Sequence, residues 1–189
     1  KVIATSLTNQ RQLFISDELG RFNHRLLEWS NAQRHSSAFD TPKCYRSITP
    51  LAKYLHPFRV IKDEAEQQSI RAAVNASIDG HKAVMSACRE GINEAELAAT
   101  FNFTIAKHGA NDVAYPNIVA AGNNACCLHY EDNACQTQTG QMLLIDAGAE
   151  LNHYAADITR SYPVNGQFTQ DQAAIYQIVL DALDAAIAK

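Results

Sequence analysis

The chain has 189 residues, of which 47% are hydrophobic and 19% are charged. This composition is typical of a globular protein with apolar material for one core, or for one core and part of another. The formal net charge of −4 and the scattered lysines and arginines argue against nucleic-acid binding. No apolar run approaches the roughly 20 residues that a membrane-spanning helix requires. We therefore expect neither a nucleic-acid partner nor a membrane partner.

The cysteines indicate the redox environment. There are five, an odd number, and none shows C-x-x-C spacing. This usage favours reduced, buried thiols in a cytoplasmic protein over a disulfide scaffold. A zinc cluster of Cys126, Cys127, His129 and Cys135 is the alternative, although the spacing matches no standard zinc site.

Residues 1–58 form the first region. They contain a strand candidate at 12–16, a helical stretch near 17–33, a polar loop, and a short amphipathic piece at 50–55. This is too little material for an independent core. The chain also starts without an initiator methionine or a signal-peptide pattern. We therefore expect residues 1–58 to be the last part of a domain that begins upstream.

The second region, residues 59–189, opens with two helices. Asp63 and Glu66 form a capping-box pattern for the first helix, and Asn93 is the expected N-cap of the second, which ends at Gly109. Apolar residues recur along the first helix at near-helical spacing, at Ile70, Val74, Ile78, Met85 and Cys88. The corresponding stripe of the second helix is Leu97, Phe101 and Ile105.

Strand candidates and a last helix follow. The strand candidates lie at 117–121, 126–130, 142–147 and 153–164. The last helix starts at Thr169, where Gln172 completes a capping box, and its apolar stripe is Ile175, Val179, Ala182 and Leu183. The order helix, helix, strands, helix, with mostly short connections, predicts an α+β fold with an antiparallel sheet. A doubly wound parallel sheet is not expected.

Two aspartates, Asp146 and Asp157, interrupt apolar or β-prone segments, where a carboxylate has no packing role. If the hairpin turn between them centres on Leu151-Asn152, the two aspartates face each other with Cβ atoms about 4.5–5.5 Å apart. Two like charges at that range repel unless a cation lies between them or one is protonated. We interpret the pair as half of a metal site. Two solvated aspartates at a hairpin edge are the alternative.

Four ordered motifs resemble the catalytic domain of Xaa-Pro aminopeptidase (aminopeptidase P), peptidase family M24. They lie at 118–124 (IVAAGNN), 128–133 (LHYEDN), 144–148 (LIDAG) and 157–164 (DITRSYPV). The resemblance covers roughly residues 59–189, while residues 1–58 are similar, less specifically, to the end of the family's N-terminal domain. It implies the first half of a pita-bread domain with an antiparallel sheet, preceded by the tail of an α/β domain.

The resemblance also implies a dinuclear metal centre. Asp146 would bind one metal and Asp157 would bridge both, while a histidine and two glutamates beyond Lys189 would complete the site. Mn²⁺ is the expected ion, with Co²⁺ or Zn²⁺ as alternatives, because carboxylates suit hard or borderline cations. The chain would then be the front part of an enzyme, with little or no peptidase activity by itself.

By the same resemblance, His129 would lie beside the metals and contact the substrate or stabilise developing charge. Considered alone, His129 is better explained as a core histidine satisfied by the backbone. Tyr115 either donates a hydrogen bond to a ligating aspartate or packs before Pro116. Arg160 either pairs with Asp157 or covers the sheet edge. The remaining histidines of this region are expected to be structural or surface residues, at His81, His108 and His153.

The implied function is that of a cytoplasmic metallo-exopeptidase that releases the N-terminal residue from peptides with proline at the second position. The imide nitrogen of an X-Pro bond lacks a hydrogen, which makes a dedicated enzyme chemically reasonable. Prolidase, an Xaa-Pro dipeptidase, is the nearest alternative, and residues 129–133 favour the aminopeptidase. Metal-free creatinase-like hydrolases are disfavoured because both aspartates are present. A non-catalytic binding module with the same fold and a homo-oligomeric assembly stay open.

Overall fold

The computed structural model describes residues 12–16, 20–35 and 47–189. The chain divides into two compact units, Lys1–Asp63 and Glu64–Lys189. The predicted beginning of the first helix at residues 17–19, most of the polar loop and Cys44 lie outside the described residues.

The first unit contains two parallel strands, β1 (Gln12–Ile15) and β2 (Ser47–Pro50), with helix α1 (Gly20–His35) between them in the chain. A parallel pair needs such a long connection, which commonly includes a helix. Helix α2 (Ala52–Val60) follows. The sequence did not predict β2, and the amphipathic piece expected at 50–55 is in fact the end of β2 and the start of α2.

The second unit begins with two packed helices, α3 (Glu64–Ala87) and α4 (Glu94–Lys107). Helix α3 starts directly after Asp63, as the capping pattern predicts. Asn93 is the N-cap of α4, since its side chain accepts a hydrogen bond from the amide of Ala95 at 2.8 Å. The predicted stripe of α4 is confirmed, because all three of its residues are buried, at Leu97, Phe101 and Ile105.

The predicted stripe of α3 is wrong. Ile78 and Met85 are 38% and 50% exposed, and the buried face is instead made mostly of small residues, at Ala73, Ala76, Ser77, Gly80, His81 and Val84. A Cβ atom on Gly80 would lie 2.6 Å from the ring of Phe101. Small residues thus allow α4 to approach α3 closely, and this packing outweighs the hydrophobic periodicity.

The strands of the second unit form two antiparallel three-stranded sheets, which confirms the predicted α+β class. One sheet has the order β3 (Asp112–Val113), β6 (Ala149–Leu151) and β7 (Tyr154–Ala155). The other has the order β4 (Ile118–Ala121), β5 (Met142–Asp146) and β8 (Thr159–Pro163). Unexposed residues of the second sheet pack with α4 in one core, at Val119, Leu143 and Ile145.

Three details of the strand prediction are wrong. Residues 126–130 form no strand, because a 3-10 helix, Gly122–Cys126, ends at the start of that segment and an irregular loop follows. The strand expected at 153–164 is divided into β7 and β8. The short strands β3 and β6 were not predicted. Side-chain hydrogen bonds that hold the irregular loop account for the first difference.

The last helix, α5 (Gln170–Ile187), has the predicted capping box, with hydrogen bonds of 2.9 and 3.2 Å between Thr169 and Gln172. Its predicted apolar stripe is not buried in the described structure, because no residue of α5 is buried. Three residues of this stripe, Ile175, Val179 and Leu183, border a groove of about 830 Å³ against β5 and β8. Among the described residues, no helix has both the length and the hydropathy needed to cross a bilayer.

Candidate metal centre

The hairpin that carries both aspartates turns one residue later than predicted. Its tip is Asn152-His153, with φ angles of +52° and +66°, and Leu151 pairs with Tyr154. Two consecutive positive φ angles are typical of the tight type I′ turn, whose twist matches that of the flanking strands. The prediction of a turn centred on Leu151-Asn152 is therefore wrong by one residue.

The later turn changes the residue opposite Asp146, which is Thr159 rather than Asp157. Asp157 lies in the short segment 156–158 between β7 and β8, where the flanking hydrogen bonds place it opposite Gly148. The prediction that the two aspartates face each other directly is thus wrong. The error amounts to two positions along one strand, and side chains alternate with a period of two. Asp146 and Asp157 can therefore still project from the same side of the hairpin.

The hydroxyl of Tyr115 joins the two carboxylates. Its oxygen lies 2.5 Å from Oδ1 of Asp146 and 3.1 Å from Oδ1 of Asp157. Burial, reinforced by the two neighbouring carboxylates, raises the pKa of Tyr115 well above the ordinary tyrosine value. Tyr115 is therefore a neutral hydrogen-bond donor here. This is the contact expected of Tyr115, and its role beside a metal stays a prediction.

The donor set of this cluster fits a divalent cation. A phenol has one hydrogen to donate, so most of the acceptor positions on the two carboxylates are left for another partner, and carboxylate oxygens are ligands that hard divalent cations prefer. Asp146 is half-buried and Asp157 is exposed, which leaves the pair accessible from solvent. Within residues 12–16, 20–35 and 47–189, no group of three or more His, Cys, Asp or Glu is placed to hold a metal. Among the described residues, the candidate site thus consists of two carboxylates, of Asp146 and Asp157, and the phenol of Tyr115.

His129 lies on the loop between the 3-10 helix and β5. It is exposed, its φ is +53°, and in the part of the chain described here its side chain has no hydrogen bond to Asp146 or Asp157. The interpretation of His129 as a core histidine is therefore wrong. The structure does not bring His129 into direct contact with the aspartates, and its role in catalysis stays a prediction.

The other sequence hypotheses near the site have clear outcomes. Arg160 donates to the carbonyl of Thr159 at 2.8 Å and is exposed, and the described structure contains no ion pair between Arg160 and Asp157. The expectation of buried thiols is wrong for three exposed cysteines, at Cys126, Cys127 and Cys135. They form no zinc cluster with His129 among the described residues.

The remaining histidines differ from one another. His108 lies 3.2 Å from Asp79, and His153 is an exposed residue of the hairpin tip. His81 is 6% exposed, and its Nε2 atom is 3.0 Å from the carbonyl oxygen of Ala147. Since a carbonyl only accepts, Nε2 carries the hydrogen. Burial lowers the pKa of His81, so the neutral ring is favoured.

Sequence reasoning missed how α3 holds the hairpin next to Asp146. Ser77, fully buried, accepts a hydrogen bond from the amide of Ala149 at 2.8 Å, while His81 donates to Ala147. These contacts flank Gly148, where an added Cβ would lie 1.8 Å from the carbonyl oxygen of Ala156. The i, i+4 spacing of Ser77 and His81 was the available signal, but it does not reveal a partner.

The fold and the candidate site together are an antiparallel hairpin that packs against α3 and carries two carboxylates converging on one phenol. Residues 68–189 match the model of Metallopeptidase family M24. The chain belongs to this family. The predicted resemblance and the pita-bread fold are confirmed.

Within the family, the chain is similar to Xaa-Pro aminopeptidases. It is 41% identical over 133 residues to Xaa-Pro aminopeptidase of Escherichia coli, a match covering 70% of this chain and 30% of that protein. It is 48% identical over 121 residues to a probable Xaa-Pro aminopeptidase of Fusarium vanettenii, covering 64% of this chain and 26% of that protein. The matched part is thus less than a third of either relative.

Solved structures show the same similarity. The aminopeptidase PepP of Pseudomonas aeruginosa superposes with a TM-score of 0.89 at 36% identity, covering 96% of this chain and 41% of that one. Proline aminopeptidase P II from Yersinia pestis superposes with a TM-score of 0.90 at 33% identity, covering 96% and 42%.

Proposed function

We propose that the protein carrying this chain is a metal-dependent exopeptidase that releases the N-terminal residue from peptides with proline at the second position. The convergence of Asp146 and Asp157 on the hydroxyl of Tyr115 is the observation that carries the proposal. Membership of a metallopeptidase family supports the reaction type. Relatives named Xaa-Pro aminopeptidase support the choice of substrate.

Each member of the cluster has a distinct part in the proposal. Asp146 would hold one divalent ion and Asp157 would bridge two, with further ligands from outside this pair. When bound, such ions polarise the scissile carbonyl and make water a stronger nucleophile. Tyr115 would keep both carboxylates oriented through its hydrogen bonds. Mn²⁺ is the proposed ion, with Co²⁺ and Zn²⁺ as alternatives.

His129 is proposed to act on the substrate rather than on the metals. Its imidazole is exposed and has no hydrogen-bond partner among the described residues, so it is free to contact a bound peptide. A ring N–H that points at the developing charge would stabilise the transition state more than the ground state.

Two alternatives are less well supported. Prolidase, which acts on Xaa-Pro dipeptides, shares the expected metal ligands, but the similar proteins compared above are named aminopeptidases. A non-catalytic binding module would give no reason for two carboxylates to converge on one phenol.

We also propose a cytoplasmic location, which the free thiols of Cys88, Cys126, Cys127 and Cys135 support. A homo-oligomer stays a prediction.

The direct test uses the full-length protein. We expect it to release the first residue of an Xaa-Pro-Xaa tripeptide with Mn²⁺, to lose activity with a chelator, and to spare the matched Xaa-Ala-Xaa tripeptide. An Xaa-Pro dipeptide serves as the prolidase substrate. Faster turnover of the dipeptide would favour prolidase, and chelator-resistant turnover would contradict the metal mechanism.

The carboxylate cluster is tested through Tyr115. Tyr115→Phe removes the shared hydrogen bond, and we expect Mn²⁺ affinity in titration calorimetry to fall roughly 10–100-fold. Tyr162→Phe is the matched control, since the hydroxyl of Tyr162 is buried without a hydrogen-bond partner in the described structure. Equal Mn²⁺ affinities for the two variants would mean that Tyr115 does not orient metal ligands.

A further inference from the structure

Glu94 is a buried carboxylate that the proposed mechanism does not use. It stands at the start of α4 and has no solvent exposure. Burying a carboxylate is costly unless hydrogen bonds compensate the charge. Four donors surround it at 2.8 to 3.0 Å, namely the amides of Ala121 and Cys135, the side-chain amide of Asn124 and the hydroxyl of Tyr130.

Three of the four donors lie in one segment, which we call the His129 loop, residues 122–135, and the fourth directly precedes it. Oε1 of Glu94 accepts from Ala121, directly before the loop, and from Asn124 near its start. Oε2 accepts from Tyr130 and Cys135 near its end. One rigid carboxylate therefore closes the loop across its base.

Tyr130 links this anchor to His129, its neighbour in the chain. The hydroxyl of Tyr130 donates to Glu94 and also accepts from the side chain of Asn124 at 3.1 Å and from the amide of Ala134 at 3.3 Å. His129 itself has a φ of +53°, a left-handed conformation that L residues rarely adopt without outside support. The anchored tyrosine supplies such support one residue away.

Regular backbone pairing does not hold this segment. In the described structure only the 3-10 turn and one isolated bridge, between Asn93 and Gln136, give regular structure between β4 and β5. Asn133 adds two side-chain bonds to the chain near β4, to the amide of Val119 and the carbonyl of Asn117, each at 2.8 Å. The loop therefore depends on side-chain hydrogen bonds for its shape. The Glu94 carboxylate accepts four of these bonds, and Asn133 contributes the two just described.

We infer that Glu94 is a positioning residue, which fixes the His129 loop and thereby the place from which the His129 imidazole meets the substrate. The inference rests on the proposed function for its second half, the action of His129. The first half, the anchoring of the loop, stands on the hydrogen bonds of Glu94.

Glu94→Gln tests the anchoring in the full-length protein. The amide keeps the shape of the carboxylate but turns an NH₂ group toward two donors, so at least one hydrogen bond is lost. We expect amide hydrogen exchange in residues 122–135 to accelerate by about 10-fold or more, while α3 and β5 keep their protection. Glu96→Gln, on an exposed residue of the same helix, is the matched control and should exchange like the wild type. Unchanged exchange in Glu94→Gln would overturn the inference.

A double-mutant cycle tests whether Glu94 acts through His129. We expect Glu94→Gln to lower kcat on the Xaa-Pro tripeptide by about 10–100-fold with little change in KM or bound metal. In a His129→Ala background, the same change should lower kcat by less than about 2-fold, because nothing remains to be positioned. An equal loss in both backgrounds would show a general structural role and overturn the inference.

Two further outcomes are decisive. If Glu94→Gln does not unfold cooperatively, Tyr130→Phe takes its place in both experiments. We then expect a smaller loss of kcat, about 3–10-fold, which should again be absent in the His129→Ala background. If His129→Ala retains full turnover, the role of His129 is wrong and the positioning role falls with it. Hydrogen exchange then still reports on the anchor, so a failure of the proposed function is distinguishable from a failure of the anchor.

Discussion

Two neighbouring regions of the second unit present the proposed site residues by different means. The hairpin of β5 to β8 carries Asp146 and Asp157 on a backbone ladder whose register continues across the break at Gly148. The His129 loop has little backbone pairing and is held by the side chains of Glu94 and Asn133. A ladder distributes stability over many similar bonds, whereas the loop depends on a few particular side chains.

This difference matches the work proposed for each region. Metal ligands must keep a fixed separation, and a strand ladder provides it without specialised residues. A substrate-contacting residue has to stand outside the regular structure, where the ligand can reach it, and loops serve this purpose. We therefore expect hairpin changes to affect metal content or folding and loop changes to affect turnover.

The largest effect is expected from Asp157→Asn in the full-length protein. The amide keeps the shape of the side chain but removes the negative charge proposed to bridge two cations. At least one metal should be lost, and activity should fall further than in any loop variant. Metal analysis by mass spectrometry with steady-state kinetics provides the measurement. Two retained metals with near-normal turnover would show that Asp157 is not the bridge.

His129→Ala should have the next largest effect and should differ in kind. Both metals should stay bound while kcat falls roughly 10²–10⁴-fold, the usual range for one group acting by proton transfer or charge stabilisation. The same metal analysis and kinetics apply. Loss of metal in His129→Ala would remove the distinction between the two regions, because the loop would then contribute to the metal centre.

Gly148→Ala tests the hairpin backbone. The added Cβ would lie 1.8 Å from a carbonyl oxygen, so the strands must separate. We expect the free energy of unfolding to fall by about 3 kcal/mol, at the upper end of the usual overpacking cost. Gly20→Ala is the control, since its Cβ would meet no atom within 4 Å. Equal urea midpoints for the two variants would contradict the close approach at Gly148.

The smallest effect concerns the loop at alkaline pH. Partial burial and the nearby Glu94 raise the pKa of Tyr130 to about 12, above the ordinary value near 10. The neutral phenol is thus favoured in the folded state. Its contribution to stability is complete below about pH 10 and is lost as the pH rises through about 12.

Tyr130→Phe should therefore lose less stability than the wild type between about pH 10 and about pH 12. Urea denaturation at constant ionic strength measures the two pH profiles. Parallel profiles would show that the hydroxyl of Tyr130 does not interact with Glu94 as the structure indicates.

The hairpin was largely predictable from the sequence because its signals are local. Strand alternation, a residue tolerant of positive φ and two aspartates out of place in β-prone segments together indicated a metal site. The sequence did not determine which two residues form the tip of the turn, because Asn152 fits either position of a type I′ turn and His153 gives no clear signal.

The His129 loop was not predictable for the opposite reason. An acidic residue in the first turn of a helix is ordinary, because it complements the helix dipole, so Glu94 gave no sign that it was buried. Its donors are up to 41 residues away in the chain. The face of α3 was misjudged likewise, since burial there is set by how closely Phe101 approaches Gly80.

The continuous register of the hairpin limits how its length can change by insertion or deletion. A single residue added within β6 or β7, and not absorbed by the turn, would move Asp157 to the other face of the ribbon and separate it from Asp146. Two added residues would return Asp157 to the same face of the ribbon as Asp146. The number of residues between the two aspartates can therefore change only in even steps, while the two tip positions, Asn152 and His153, are restricted to residues that tolerate a positive φ.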